Sequence, residues 1–243
     1  MYLIFIPITA EDEALKTGGT GPVQSEVHEM SKKIVVITGS PRRNGNSFAM
    51  TDAFIEAAEK KGHTVTRFDA AMMNIGGCRA CETCYKKGRA CSFDDDFNVI
   101  APAILEADAV VFTMPVYWYS IPAQIKGVID RIYSLVVGGK DVAGKECALI
   151  ACCEEDDMSV MDGVRMPLER SAAILKWEMV GEVLVPGVLK VGDIDRTDGR
   201  ERAAALAEMF RFGPDPGPGR PTCSPRPGGP RPSRAPPPGG RRR

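Results

Sequence analysis

The chain has 243 residues, 44% of them hydrophobic and 26% charged, enough for a normal core in one sizeable domain or two small ones. Its net charge of −1 conceals an uneven distribution: residues 211–243 carry eight arginines and one acid, residues 1–29 carry five acids and one lysine, and residues 30–210 carry 22 basic and 26 acidic side chains. That mildly acidic middle gives no support to a nucleic-acid-binding core, and the apolar opening Met1–Ile8 is too short to span a bilayer and lacks the positive flank of a secretory signal.

Residues 1–29 show no sustained period, and Met30-Ser31-Lys32-Lys33 directly before the first strand looks like a natural start. The preceding segment therefore reads as a disordered or misassigned extension, with a loosely docked arm as the alternative. From Met30 the pattern alternates strand and helix. Ile34–Thr38 is a continuous apolar run, expected of a strand buried on both faces of a parallel sheet. A helix from Phe48 to Lys61 follows, with Phe48, Ile55 and Ala58 near one stripe and Gly62 as its stop. His63–Phe68 alternates as a second strand, and residues 72–98 are irregular. Asp95 or Asp96 caps a helix running to about Ala107. Ala109–Met114 is a third strand, followed by an aromatic loop to Ser120. Pro122 is expected in the first turn of a helix whose apolar face is Ile121, Ile125, Val128 and Ile132. Glu146–Cys152 is a fourth strand, Val164–Val180 a helix ended by Gly181, Val183–Leu189 a fifth strand and Arg200–Phe210 a last helix. Beyond Gly213 the composition turns to Pro, Gly and Arg, from which no core can form.

Strands alternating with helices imply a parallel sheet covered on both faces. In order 2-1-3-4-5, the loops after the first and third strands meet where the strand order reverses, and ligands bind there. Those are the two chemically unusual loops. The first, Gly39-Ser-Pro-Arg-Arg-Asn-Gly-Asn-Ser47, puts hydroxyls, amides and two guanidiniums at a helix N-terminus, a place suited to phosphate. Gly39 to Gly45 is one residue too long for a Walker loop, and no Lys-Ser/Thr follows. The dinucleotide spacing G-x-G-x-x-G is also missing, and Asp69 at the end of the second strand cannot replace it. A terminal monophosphate, such as that of FMN, remains, with an ordinary strand–helix turn as the alternative. The second loop, Met114-Pro-Val-Tyr-Trp-Tyr-Ser120, offers a surface for a flat heteroaromatic ring or for packing against a neighbouring subunit or helix.

Eight cysteines without a secretory signal point to metal or redox chemistry rather than disulfides. Cys78, Cys81 and Cys84, with Cys91 seven residues on, form a compact array that favours an iron–sulfur cubane over structural zinc. Arg79, Lys86, Lys87 and Arg89 would offset its charge, and Gly76 and Gly77 would let the backbone wrap it. Reduced thiols without metal are the competing reading. Cys152 and Cys153 read as core-edge residues lining the same crevice as the phosphate loop, and residues 154–157 as a solvated loop. With only His28 and His63, a histidine-activated nucleophile is disfavoured, and no Cys-x5-Arg loop occurs.

These motifs, together with Asp94-Asp-Asp96 and Pro122-Ala-Gln-Ile-Lys-Gly-Val-Ile-Asp-Arg131, make residues 32–210 resemble the NADPH-dependent FMN reductase-like branch of the flavodoxin-like superfamily, and especially the iron–sulfur flavoproteins. The resemblance implies a flavodoxin-like three-layer α/β domain over residues 30–212. It implies that Ser40, Arg42, Asn44, Asn46 and Ser47 hold the FMN phosphate and that Pro115, Val116, Tyr117 and Trp118 border the isoalloxazine. It also implies a [4Fe–4S] cluster on Cys78, Cys81, Cys84 and Cys91, and a homodimer or higher homo-oligomer. The expected activity is that of a cytoplasmic oxidoreductase taking electrons from NAD(P)H and passing them to a small acceptor such as a quinone, with no side chain as acid or base. Two alternatives are an electron carrier reduced by ferredoxin and a protein that binds nucleic acid or a partner through its arginine-rich tail.

Overall fold

The computed structural model describes residues 31–211. The expected extension (1–29) and the Pro/Gly/Arg tail (213–243) lie outside the described residues. Five strands, β1 (Lys33–Thr38), β2 (Thr64–Asp69), β3 (Ala109–Pro115), β4 (Glu146–Cys152) and β5 (Glu178–Val185), form one sheet in the order β2-β1-β3-β4-β5, as expected. All four pairings are parallel. The helices are α1 (Asn46–Lys60), α2 (Phe97–Glu106), α3 (Ala123–Val137), α4 (Asp162–Leu175) and α5 (Gly199–Leu206).

Alternation along β1 divides the core in two. Ile34 and Val36 face α1 and α5, packing with Phe54, Ala58, Ala203 and Leu206. Val35 and Ile37 face the other way, in the cluster that contains Ile100 of α2, Ile125 and Val128 of α3, and Leu168 of α4. Both faces of the central strands are covered, so β1 and β3 read as apolar runs, while the edge strand β2 alternates. In α1 Met50, Thr51, Phe54 and Ala58 are fully buried, and Phe54 meets Phe210 edge-on at 5.6 Å, while Ile55 lies at the margin. Gly62 sits at φ 92° just past the helix, where a left-handed residue is needed.

The C-terminal third departs from the expected boundaries. α4 stops at Leu175 because Lys176 turns into the left-handed region (φ 56°, ψ 40°), and the N–H of Trp177 reaches back to the carbonyl of Ala172. Trp177 is buried, and its indole N–H donates to the Val142 carbonyl. β5 therefore starts at Glu178, and Gly181 lies inside the strand rather than ending a helix. A Cβ at Gly181 would stand 2.6 Å from Leu206 Cδ1, so α5 packs directly on the strand there. Pro122 flanks α3 at its N-cap rather than entering the first turn. At the start of α2, Asp96 accepts from the Asn74 N–H, while Asp95 Oδ1 accepts from the Phe97 N–H.

Helix α3 touches two regions of later importance. Near its start, Ile125 packs on Gly39, where a Cβ would sit 2.7 Å from Ile125 Cδ1. Half a turn on, Gly127 lets the Gly76 carbonyl approach to 3.3 Å of where a Cβ would be.

Candidate functional site

An open crevice of about 480 Å³ lies beyond the C-terminal ends of β1, β3, β4 and β5. Ser40, Arg42, Gly45, Asn46 and Ser47 form one side, and Pro115, Val116, Tyr117 and Trp118 another. The two loops singled out in the sequence thus meet, as the β1/β3 reversal requires. Asn44 is exposed and does not line the crevice. Cys152, Cys153 and Glu154 after β4, and Val188, Leu189 and Val191 after β5, complete the lining. The last three gave no sequence signal beyond a short apolar run. Burial pushes the Cys152 thiol up to about 12, with Cys153 adding to the shift, so Cys152 stays protonated and behaves as an apolar wall.

The phosphate loop is built from local bonds. The Ser40 hydroxyl oxygen accepts from the Arg42 N–H at 3.1 Å, and the Gly45 N–H donates to the Arg42 carbonyl at 2.9 Å. Gly45 precedes α1 with extended dihedrals, and no side chain caps the helix. The first-turn N–H groups, which have no partner within a helix, therefore face the loop side. This cradle of uncapped N–H groups and serine hydroxyls, with Arg42 beside it, fits a monophosphate. Asn46 has a different use: its Nδ2 donates to the Lys190 carbonyl at 3.0 Å and its Oδ1 accepts from the Ile194 N–H at 3.3 Å. It ties the loop to the segment after β5.

The aromatic loop is a two-residue hairpin. The N–H groups of Tyr117 and Ser120 each donate to the other's carbonyl at 3.0 Å. Trp118 and Tyr119 at its tip both have positive φ (49° and 59°), and Trp118 is 94% exposed. A Cβ at Gly163, in the first turn of α4, would lie 1.7 Å from the Tyr119 carbonyl oxygen, so α4 seats the hairpin from behind.

The four array cysteines come together. Cys78, Cys81, Cys84 and Cys91 all line a separate hollow of about 220 Å³. Its backbone holds Ala80, Glu82 and Tyr85 at positive φ, a conformation disfavoured for residues with a Cβ. Among the described residues no three His, Cys, Asp or Glu side chains close tightly enough on a single metal ion. Four cysteines lining one hollow match the ligand number of a cubane cluster. Burial raises the Cys84 thiol, and the thiols of Cys91, Cys81 and Cys78 add to the shift. Cys81 is lowered by its hydrogen bonds with Thr83, the Sγ lying 3.0 Å from Oγ1. Of the expected counter-charges, Arg79 stacks on Phe93 at 4.4 Å and Arg89 pairs with Asp94, while Lys86 and Lys87 are exposed. The buried cation of the hollow is instead Arg131 of α3, paired with Asp95 and lying 4.5 Å over the Phe97 ring. Arg131 stood in the quoted motif with no role assigned, because nothing in the spacing places it next to residue 91.

The 2-1-3-4-5 sheet with a crevice at its β1/β3 reversal defines a flavodoxin-like α/β protein. Residues 32–162 match the family described as NADPH-dependent FMN reductase, and the chain belongs to it. It is 33% identical over 189 residues to an iron-sulfur flavoprotein of Archaeoglobus fulgidus, an alignment covering 73% of this chain and 80% of the relative. Solved structures share the fold. An NAD(P)H:quinone oxidoreductase from Methanothermobacter marburgensis superposes with a TM-score of 0.60 at 20% identity, covering 73% of this chain and 95% of that one. An FMN-dependent NADH-azoreductase from Bacillus anthracis, solved with FMN, gives 0.57 at 14% identity, covering 75% of this chain and all of that one.

Proposed function

We propose that the protein is an FMN-dependent NAD(P)H oxidoreductase that passes electrons to a small acceptor such as a quinone. The observation that carries this reading is the meeting of residues 40–47 and 115–118 in one crevice. Ser40, Ser47 and the uncapped α1 N-terminus would hold the FMN phosphate, with Arg42 at its edge. Asn46 supports the cradle from behind, and the exposed Asn44 would reach the phosphate only at its rim. Pro115, Val116, Tyr117 and Trp118 would border the ring, with Cys152 as an apolar wall. Bound FMN supplies the hydride and electron chemistry, and the chain supplies position and electrostatics without a side-chain acid or base. Cys78, Cys81, Cys84 and Cys91 would hold a [4Fe–4S] cluster, a one-electron centre. A homodimer or higher homo-oligomer in the cytoplasm completes the reading, and no helix among the described residues is long and apolar enough to cross a membrane. The shared thiol hollow also favours a second reading, an electron carrier reduced by ferredoxin.

Anaerobic purification followed by absorption spectroscopy, flavin and iron assays and NAD(P)H oxidation with a quinone tests these readings. The expected result is one FMN per chain, iron bound by the four cysteines and quinone-dependent NAD(P)H consumption. Absence of bound or reconstitutable FMN defeats the main reading. Flavin without iron removes the cluster, and reduction by ferredoxin alone selects the carrier.

A further inference from the structure

One wall of the four-cysteine hollow carries buried donor atoms with no oxygen or nitrogen partner among the described residues. Arg131 and Ser134, three residues apart on α3, both line the hollow, and each is 3% exposed. One edge of the guanidinium is committed: Nη1 donates to Asp95 Oδ2 and to the Gly76 carbonyl. The other edge, Nε and Nη2, has no hydrogen-bond partner among the described residues, nor has Ser134 Oγ. Burying unpaired donors is unfavourable, most of all when they belong to a cation, so each such group calls for a specific partner. The thiol of Cys91 is buried in the same hollow as the guanidinium. Arg131 cannot turn away, because Asp95 and Phe97 fix its plane.

We propose that Arg131 and Ser134 are positioning residues that donate hydrogen bonds to the sulfur atoms of the iron–sulfur group held by these cysteines, Arg131 to the Cys91 sulfur, and that they raise its reduction potential. This rests on the cluster reading above. A positive charge and N–H or O–H donors directed at the sulfurs stabilise the more negative, reduced state more than the oxidised one. Asp95 holds the guanidinium in place and offsets part of its charge.

The test uses the full chain, loaded anaerobically with iron and sulfide, and an EPR-monitored redox titration. Arg131→Gln shifts the one-electron reduction equilibrium at least tenfold toward the oxidised form, about 59 mV. Ser134→Ala shifts it in the same direction by less, and Asp95→Asn shifts it the opposite way. A merely structural role would change iron content without this ordered pair of opposite shifts. Unchanged potentials in iron-loaded Arg131→Gln overturn the inference. Should that variant fail to hold iron, unchanged potentials in Ser134→Ala and Asp95→Asn overturn it. Wild-type protein that binds no iron overturns the cluster reading itself, which separates the two failures.

Discussion

Trp118 and Tyr119 hold the left-handed conformation at a cost of roughly 1–2 kcal/mol each. The fully exposed Trp118 recovers little of that by burial. Trp118→Gly is therefore expected to raise the melting temperature by about 2–4 °C per kcal/mol relieved. FMN retention should fall at the same time, because an aromatic wall of the crevice is lost. A melt and a flavin assay on one preparation check both, and a lowered Tm would refute the strain argument. Gly163→Ala acts on the same hairpin from behind: its Cβ meets backbone rather than a flexible side chain, so the hairpin must move and flavin should be lost. Asn46 has partners that its place in the sequence did not announce. Its amide was expected on a phosphate, yet both ends of it bond backbone 144 and 148 residues away. Asn46→Ala should cost about 1–3 kcal/mol by leaving the buried Ile194 N–H unpaired, measurable by denaturant titration. It should also weaken FMN binding by freeing the segment after β5.

Between elements, His63 joins the start of β2 to the chain after α5. Its ring is 4% exposed, with Nε2 2.9 Å from the Phe210 carbonyl and Nδ1 accepting the Lys32 N–H. That pairing requires the neutral ring. Burial holds its pKa below the ordinary 6.5, only partly countered by the Phe210 carbonyl. The unfolded chain thus binds the proton more tightly. Stability is full above about pH 6.5 and declines as the pH falls toward the depressed folded value. Melts across this range should show the decline in the wild type and a flatter profile in His63→Gln. An equal slope in both would assign the decline to other groups. The helix–strand boundary at residues 175–178 was illegible for a related reason. Gly181 looked like a helix stop, but its lack of a side chain serves α5 across the sheet, a contact no local window contains.

For the whole molecule, the strand order and the meeting of the first and third loops followed from the alternation of apolar runs and from chirality rules that apply to any such chain. The compact spacing of four cysteines suggested a shared site, but spacing alone does not bring them together; the fold places them around one hollow. What stayed hidden were the partners supplied from far along the chain: Val188, Leu189 and Val191 closing the crevice, and Arg131 and Ser134 backing the thiols. Helix α3 belongs to both places. Ile125 presses on Gly39 at the phosphate loop, and Arg131, about 9 Å further along the axis, walls the thiol hollow. α3 is thus the packed element through which a shift at one site would reach the other. Linkage then makes the influence mutual: whatever factor iron loading applies to FMN affinity, FMN must apply to iron loading. Flavin dissociation constants measured with and without iron, set against iron affinities with and without flavin, should close that cycle on a single coupling factor different from one.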